Sequence, residues 1–401
     1  MEDIFEKEIK KYTVFKNKDV LSPHYLPDKL PHREKQIDKI MKTLAPILKN
    51  SRAHNLFIYG KTGVGKTASV KHVLKNMETV KEKYNVNVRG VIINCVKSNS
   101  KYQIMLSIAE RCYPNENFSG YSFAPIVDKV MSFMEKNNLH LIVVLDEIDK
   151  VKTELDELIY TLTRINDDLR RGSLTLIGIS NRATFKEALD PRSKSSLCEE
   201  ELVFPPYDAE QLEEILRERV VDGYKKGSVD ASAIRLAAAL AAQESGDARY
   251  ALKLITKAGE IADDEGSKRV TDRHVEKARK KAEEEIIYEI INTLPEHQKI
   301  VLYAVALLSK SKSYYKTLAD GSDKERILFT GEIYDEYKRL CKQRGRKARS
   351  SRWCKQYIND LEMLGLLTTS ISGKGVRGTT TLVKLDFPPE NIERILKREL
   401  G

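Results

Sequence analysis

The stretch Tyr59-Gly60-Lys61-Thr62-Gly63-Val64-Gly65-Lys66-Thr67 decides the fold. It follows the apolar run Asn55-Leu56-Phe57-Ile58-Tyr59, which reads as a buried strand. A helix-compatible run, Ala68 to Met77, comes after it. The spacing of Gly60 and Gly65-Lys66-Thr67 is that of a P-loop. Gly60, Gly63 and Gly65 let the backbone approach closely and adopt positive φ. The N–H groups of the loop and of the helix N-terminus can then face phosphates. Lys66 is expected to reach the β- and γ-phosphates, and Thr67 to hold Mg2+. Lys61, Thr62, Val64 and Ala68 complete the expected contacts to ATP or ADP. A bare Gly-rich turn would explain the glycines but not the strand–loop–helix context.

Outward from the loop, residues 55 to 191 alternate between strands and helices. Strand candidates are Leu56–Tyr59, Val88–Asn94, Leu141–Leu145 and Leu174–Ser180. Such alternation implies a parallel sheet covered by helices. The run Leu141-Ile142-Val143-Val144-Leu145 ends in Asp146-Glu147-Ile148-Asp149. A buried strand that delivers adjacent carboxylates at its C-terminal end is the usual partner of a P-loop. Asp146 is expected in the Mg2+ shell, and Glu147 is expected to polarise a water for attack on the γ-phosphate. The fourth strand runs into Asn181, whose amide can position that water or simply end the strand. In Asp190-Pro191-Arg192-Ser193, Arg192 is either an arginine finger aimed at a neighbouring subunit or an exposed residue after a turn proline.

The flanks are less regular. Residues 1 to 31 carry Ser22-Pro23-His24-Tyr25-Leu26-Pro27 and Leu30-Pro31, and prolines this dense read as an extended arm. From His32 to Leu48, Ile37, Ile40, Met41, Leu44 and Leu48 recur at helical spacing. An arm and helix in this position either supply an adenine pocket or only pack on the core. Tyr113 to Phe123 is turn-rich and aromatic and leads into helical spacing at Ile126–Met134. Tyr121 and Phe123 in this insertion either touch a partner such as DNA or anchor the loop. Pro205-Pro206-Tyr207 marks a domain boundary, with Tyr207 among the expected nucleotide contacts. Asp208 to Glu283 is Ala-, Leu- and Glu-rich with helical periodicity, and Asp208 and Asp230 are expected N-caps. Gly246-Asp247-Ala248-Arg249 opens another helix. An Arg in a first turn opposes the helix dipole, which fits an Arg249 that faces a phosphate.

Beyond the connector Lys280–Glu285, helices are expected over Ile286–Leu294, Pro295–Leu308 and Gly331–Gln343, with another after Arg349-Ser350-Ser351. Leu366–Ser370 and Thr379–Leu385 alternate around a basic, Gly-rich tip that carries Lys374 and Arg377. Helices followed by such a hairpin describe a winged helix. On the helix after Ser351, Trp353, Tyr357, Leu361 and Leu364 are expected to face the core. Arg352, Lys355, Gln356 and Asn359 are expected to face a groove, where basic groups meet phosphate or guanine and amides meet adenine. Arg344, Arg346, Lys347 and Arg349 precede them.

Composition sets the bounds. A chain of 401 residues suggests two to three domains, and 41% apolar residues suffice for real cores. The formal charge of +10 permits a polyanionic partner. Five cysteines form no CxxC pair, so neither a zinc site nor a disulfide framework is indicated. The start lacks an apolar signal segment, and the apolar run Leu139–Leu145, interrupted by His140, is too short to span a bilayer. The expectation is a soluble, cytoplasmic protein with no membrane partner.

The order of these parts resembles the AAA+ ATPases of the origin-recognition and cell-division-control initiator family, most closely its archaeal members. The resemblance covers nearly the whole chain. Gly60–Thr67 and Asp146–Asp149 indicate only a P-loop ATPase. Sensor-like Asn181 and Arg249 and the stretch Asp190–Ser196 add the AAA+ character. The winged helix and the insertion near Tyr113–Pro125 narrow it to initiators. The resemblance implies an α/β fold with an AAA+ P-loop parallel sheet domain, an all-helical lid domain and a C-terminal winged-helix domain. Residues 1–205, 206–283 and 286–401 are the expected limits. It also implies that Tyr25, Leu26, Pro27 and His32 flank the adenine. The expected function is a DNA replication initiator with weak ATPase activity used as a slow switch. Its expected partners are double-stranded origin DNA, the replicative helicase and other initiator subunits, in the nucleoid.

Two other readings stand beside this one. A P-loop transcription regulator also joins a lid and a winged helix, but commonly carries a long ligand-sensing repeat region. A clamp loader or remodelling ATPase would have a helical collar where this chain has a basic helix.

Overall fold

Strands that are apolar at every position need cover on both faces, and this governs the first half of the chain. The computed structural model describes residues 12–23, 25–311, 328–371 and 381–400. It divides into two units, Met1–Ala278 and Arg279–Gly401. In the first, β1 (Leu56–Tyr59), β2 (Val88–Asn94), β3 (His140–Asp146), β4 (Ser173–Ser180) and β5 (Glu200–Val203) form one parallel sheet. Its order is β2-β3-β4-β1-β5. Successive residues of β3 enter opposite cores. Leu141, Val143 and Leu145 pack with α3 (Lys101–Cys112), α4 (Phe123–Asn137) and α5 (Leu155–Asp168). Ile142 and Val144 pack with α1 (Glu34–Leu44) and α2 (Lys66–Val80).

His140 interrupts the apolar run yet is buried at the start of β3. Its Nδ1 lies 2.8 Å from Ser173 Oγ, and burial pushes its pKa down, so the ring is neutral at pH 7. Strand β5 is absent from the sequence expectation. It is a half-exposed edge of Glu200, Glu201, Leu202 and Val203, a composition typical of edges protected by charge. Glu200 pairs with Lys39 at 2.5 Å and accepts from Thr43 Oγ1 at 2.9 Å.

The insertion is held by its own aromatics. Tyr113 meets Phe133 at 4.9 Å, and Phe118 meets Tyr121 at 5.7 Å. Tyr102 Oη donates to the Tyr121 carbonyl. Tyr121 and Phe123 are half-buried against the sheet's core. Of the two uses the sequence left open for them, these contacts serve the anchoring one.

After α6 (Pro191–Leu197) and β5, the lid is built from α7 (Ala209–Gly223), α8 (Ala231–Glu244), α9 (Ala248–Asp264) and the start of α10 (Asp272–Thr293). Asp208 caps α7 reciprocally with Gln211. Asp230 stands at the N-cap position of α8 without a side-chain cap bond, and its carboxylate lies 3.7 Å from Arg269 instead. Buried Ala233, Ala237 and Ala241 let α8 pack closely. The arm, grouped with the sheet by sequence, packs its first part here. Val14 and Leu21 are in the lid core, and the Phe15 ring meets Tyr224 at 4.7 Å in a tilted contact. Asp263 accepts from Thr13 Oγ1 and Val14 N.

The second unit holds the end of α10, α11 (Glu296–Lys310), β6 (Leu328–Phe329), α12 (Thr330–Gln343), α13 (Ser351–Met363), β7 (Leu367–Ile371), β8 (Thr381–Leu385) and α14 (Pro389–Glu399). Its antiparallel sheet has the order β6-β8-β7. Both β6 and α14 escaped the sequence reading. A two-residue strand has no period, and α14 carries only Ile392, Ile395 and Leu396 as apolar anchors among charges. Among the described residues, no helix is long and apolar enough to cross a membrane.

Loss of the arm's anchor should be measurable. Asp263→Ala strands the buried Val14 N–H, at a cost of about 1–3 kcal/mol. Limited proteolysis should then cut between residues 12 and 31 at lower protease levels. A cleavage pattern identical to the parent's would mean that the arm is held by other contacts.

Candidate nucleotide site and nucleic-acid interface

Parallel strands end on one edge, and ligands of open α/β sheets sit in the crevice beyond those carboxyl ends. Because β4 lies between β1 and β3, three sequence-distant segments meet there. They are the P-loop after β1, Asp146–Asp149 after β3, and Asn181 after β4. A cavity of about 390 Å³ opens at this point, lined by Thr62–Ala68, Asp146, Glu147, Asn181 and Arg249. That is within the usual range for small-ligand sites.

Each loop residue has a local reason for its place. A Cβ on Gly60 would fall 2.3 Å from the Phe204 carbonyl oxygen. Gly65, at φ 89°, ends the loop as the N-cap of α2. Lys66 Nζ donates to the Gly60 carbonyl at 2.8 Å, to the Lys61 carbonyl at 2.6 Å and to Asn181 Oδ1 at 2.9 Å. Burial pushes the Lys66 ammonium down to about 8; Asp146 opposes this and Arg249 reinforces it. Thr67 Oγ1 donates to Asp146 Oδ1 at 3.0 Å. Burial raises the Asp146 pKa, while the Thr67 bond lowers it. Glu147 takes a left-handed φ of 57° at the end of β3, and Asn181 Nδ2 donates to its Oε1 at 3.3 Å.

The lid reaches this edge through α9. Asp247 caps the helix by accepting from Arg249 N and Tyr250 N. Ala248 N donates to the Gly63 carbonyl at 3.2 Å, and the Arg249 side chain lines the cavity. The arm contributes Tyr25 and Pro27. Leu26 and His32, expected beside them, do not line the cavity. His32 Nε2 lies 2.9 Å from Glu214 Oε2.

Arg192 is exposed in the first turn of α6 and is not among the residues that line this cavity. Among the lining or supporting residues that escaped the sequence reading are Asn94, Arg219 and Arg33. Arg219 Nη1 donates to the Val20 carbonyl at 3.2 Å, and its guanidinium lies 5.0 Å from the Tyr25 ring. Arg33 is 1% exposed. None stands in a motif; the only available signal was an arginine at the start of an amphipathic helix.

In the second unit, α13 is turned differently from the expectation. Its buried residues are Cys354, Ile358 and Leu361, whereas Trp353 is 55% exposed and Leu364 45%. At about 100° per residue, Arg352, Gln356 and Asn359 lie opposite the buried arc, with Trp353 and Lys355 on its two flanks. Gln356 Nε2 donates to Asp360 Oδ1 at 2.9 Å. Arg349 presents an exposed side chain from a backbone held by Tyr337 Oη and Tyr334 Oη. Arg344 and Arg346 are tied to the Leu400 carbonyl and Glu296. Lys374 and Arg377 lie outside the described residues.

Comparison with known proteins agrees with this layout. Residues 289–395 match the family described as CDC6, C terminal winged helix domain. Residues 213–280 match the Cdc6 AAA+ ATPase-type lid domain, and 49–184 an AAA domain. An ORC1-type DNA replication protein of Thermococcus onnurineus is 39% identical over 100% of this chain and 94% of its own length. This chain belongs to the Orc1/Cdc6 family of replication initiators. ORC1-type DNA replication protein 1 of Archaeoglobus fulgidus is 40% identical over 99% of this chain and 94% of its own. The structure of the Aeropyrum pernix Orc1 protein in complex with DNA is 36% identical, with a TM-score of 0.76, over 97% of this chain and 98% of that one. The initiator is therefore an AAA+ ATPase with a parallel-sheet domain, a helical lid and a winged helix, and its class implies nucleotide binding with a divalent metal. The residues present fit that implication. The Lys66 ammonium now satisfies itself on its own loop's carbonyls, and the Thr67 hydroxyl and Asp146 carboxylate lie together.

The lowered Lys66 pKa has a signed consequence. Below pH 8 the folded protein bears the cost of a buried charged ammonium. Between about 8 and the ordinary 10.5 the unfolded chain binds more protons, so stability rises with pH. A phosphate beside Nζ favours the charged form. Nucleotide binding at pH 9 should therefore take up a proton, and affinity should fall as pH rises through 8. Calorimetry at pH 9 in two buffers of different ionisation enthalpy checks this; identical heats would refute it.

Proposed function

We propose that this initiator binds ATP or ADP with Mg2+ in the crevice beyond β1, β3 and β4, and uses nucleotide state to control its grip on double-stranded origin DNA. Lys66 meets the β- and γ-phosphates. Thr67 and Asp146 hold the Mg2+, which supplies charge neutralisation when bound. Glu147 acts as base toward the attacking water, oriented by Asn181. Arg249 reports the γ-phosphate to the lid, and Arg192 is the candidate finger toward a neighbouring subunit. Residues 1–205, 206–283 and 286–401 are the working modules, the first part of the arm being packed on the lid, with the helicase-recruiting complex assembled from this initiator, other initiator subunits and the replicative helicase at the nucleoid.

One observation carries the DNA reading. The exposed face of α13 offers Arg352, Lys355 and Gln356 beside Arg349, and the likeness to the DNA-bound Aeropyrum pernix protein spans the whole module. Base edges in the major groove are read by such side chains. The wing residues Lys374 and Arg377 are assigned backbone or minor-groove contacts, and Tyr121 and Phe123 a supporting role from the insertion.

Trp353 is the sole tryptophan and flanks that face, so its fluorescence reports binding directly. Titration with origin duplex should change its emission, with a midpoint that weakens steeply with salt. Arg352→Ala should cost about 1–3 kcal/mol and relax sequence preference. No emission change, or an Arg352→Ala protein that binds like the parent, would reject α13 as the reading helix. For the ATPase, Glu147→Gln should retain ATP and release phosphate about a hundredfold more slowly. Parent-rate release would remove Glu147 from its role.

A further inference from the structure

Arg33 is fully buried beside the P-loop, and its partners are carbonyls rather than a carboxylate. Its Nε donates to the Val64 carbonyl at 2.8 Å. Nη1 donates to the His32 carbonyl at 3.0 Å, and Nη2 to the Pro205 carbonyl at 2.7 Å. The guanidinium lies 3.7 Å from the centre of the Tyr207 ring. One side chain thus touches the arm, the P-loop and the segment that leads from the sheet to the lid. Burying a charged group this way needs every donor matched to an acceptor, and only a planar fork spans three carbonyls and stacks on a ring at once.

The Val64 contact determines more than a distance. The Val64 carbonyl and the Gly65 N–H are opposite edges of one planar trans peptide. When Arg33 holds the oxygen, the N–H must point away from Arg33. Gly65 itself lines the cavity, and its φ of 89° is open to glycine but strained for other residues. A free peptide between Val64 and Gly65 could rotate and turn its carbonyl, a repulsive group, toward phosphate.

We propose that Arg33 is a positioning residue for phosphate recognition: by holding the Val64 carbonyl it keeps the Gly65 N–H aimed into the cradle, and by holding the Pro205 carbonyl and the Tyr207 ring it ties that aim to the sheet–lid crossing. The proposal rests on the crevice being the nucleotide site. It assigns Arg33 to the phosphates and not to the base, although the arm that precedes it also lines the cavity.

Affinities of the full chain for ATP, ADP and adenosine test it. Arg33→Gln should weaken ATP and ADP about tenfold to a hundredfold and leave adenosine within about twofold. Arg33→Lys keeps the charge but cannot span the three carbonyls, and should show the same selective loss if the glutamine variant does not fold. Hydrogen exchange on Arg33→Lys should show that nucleotide no longer protects the loop 60–65 and the Tyr207 amide together. Equal loss for adenosine and ADP would make Arg33 merely structural and overturn the proposal. Full parental ADP affinity in Arg33→Lys would show that charge alone suffices and would also overturn it. A parent that binds no nucleotide would instead reject the site itself.

Discussion

A buried guanidinium satisfied by main-chain carbonyls is the constraint on which the nucleotide half of this protein depends. The chain passes between sheet and lid twice, once through residues 22–33 and once through 205–207. Arg33 is in contact with both passages and with the P-loop between them. A hydrophobic residue in its place would leave three carbonyls without these donors, the buried one of Val64 among them, and a buried acceptor left unpaired is the costly case. A carboxylate partner would neutralise the charge. Carbonyl partners leave a net positive centre next to the P-loop, and burial opposes it only by lowering the pKa of a group that remains protonated.

The arm and lid share a core for a related reason. The lid helices are rich in alanine, and small residues bring helices close but bury little area each. Val14, Leu21 and the tilted Phe15–Tyr224 pair add bulk to the core of α7, α8 and α9. Gly223 and Gly259 leave room for this. A Cβ on either would overlap Leu21, or Tyr224 and Phe15. The arm is therefore lid structure first, and reaches the cavity with Tyr25 and Pro27 only afterwards.

The second unit solves an opposite problem. Its core joins the end of α10 with α11, α12 and α14 around β6, β7 and β8, and α13 enters it along one narrow arc. That helix inserts Cys354, Ile358 and Leu361 and leaves its larger groups outside. Trp353 then lies 6.0 Å from Tyr357, and Tyr357 stacks on His297. The result is an aromatic shelf beside cationic side chains, which suits a partner that has both charge and flat rings.

By itself, the sequence determined whatever depends on neighbours along the chain. The P-loop is a run of consecutive backbone conformations, and its glycines and Lys66-Thr67 are local requirements. The apolar strands of the sheet core and their terminal Asp146, Glu147 and Asn181 were legible because burial on both faces leaves an unbroken apolar run. The Asp208 cap and the helix–helix–hairpin pattern were legible for similar local reasons. The tertiary structure alone decided what depends on partners far away. Strand β5 is a strand through its parallel pairing with β1, and Lys39 and Thr43 hold its Glu200. His32 lies at Glu214 of the lid and not in the cavity lining. Trp353 stands outside while Cys354, Ile358 and Leu361 form the buried side of α13. Arg33 became central only through Val64, Pro205 and Tyr207, two of them more than 170 positions away, and no periodicity in a single sequence encodes such a meeting.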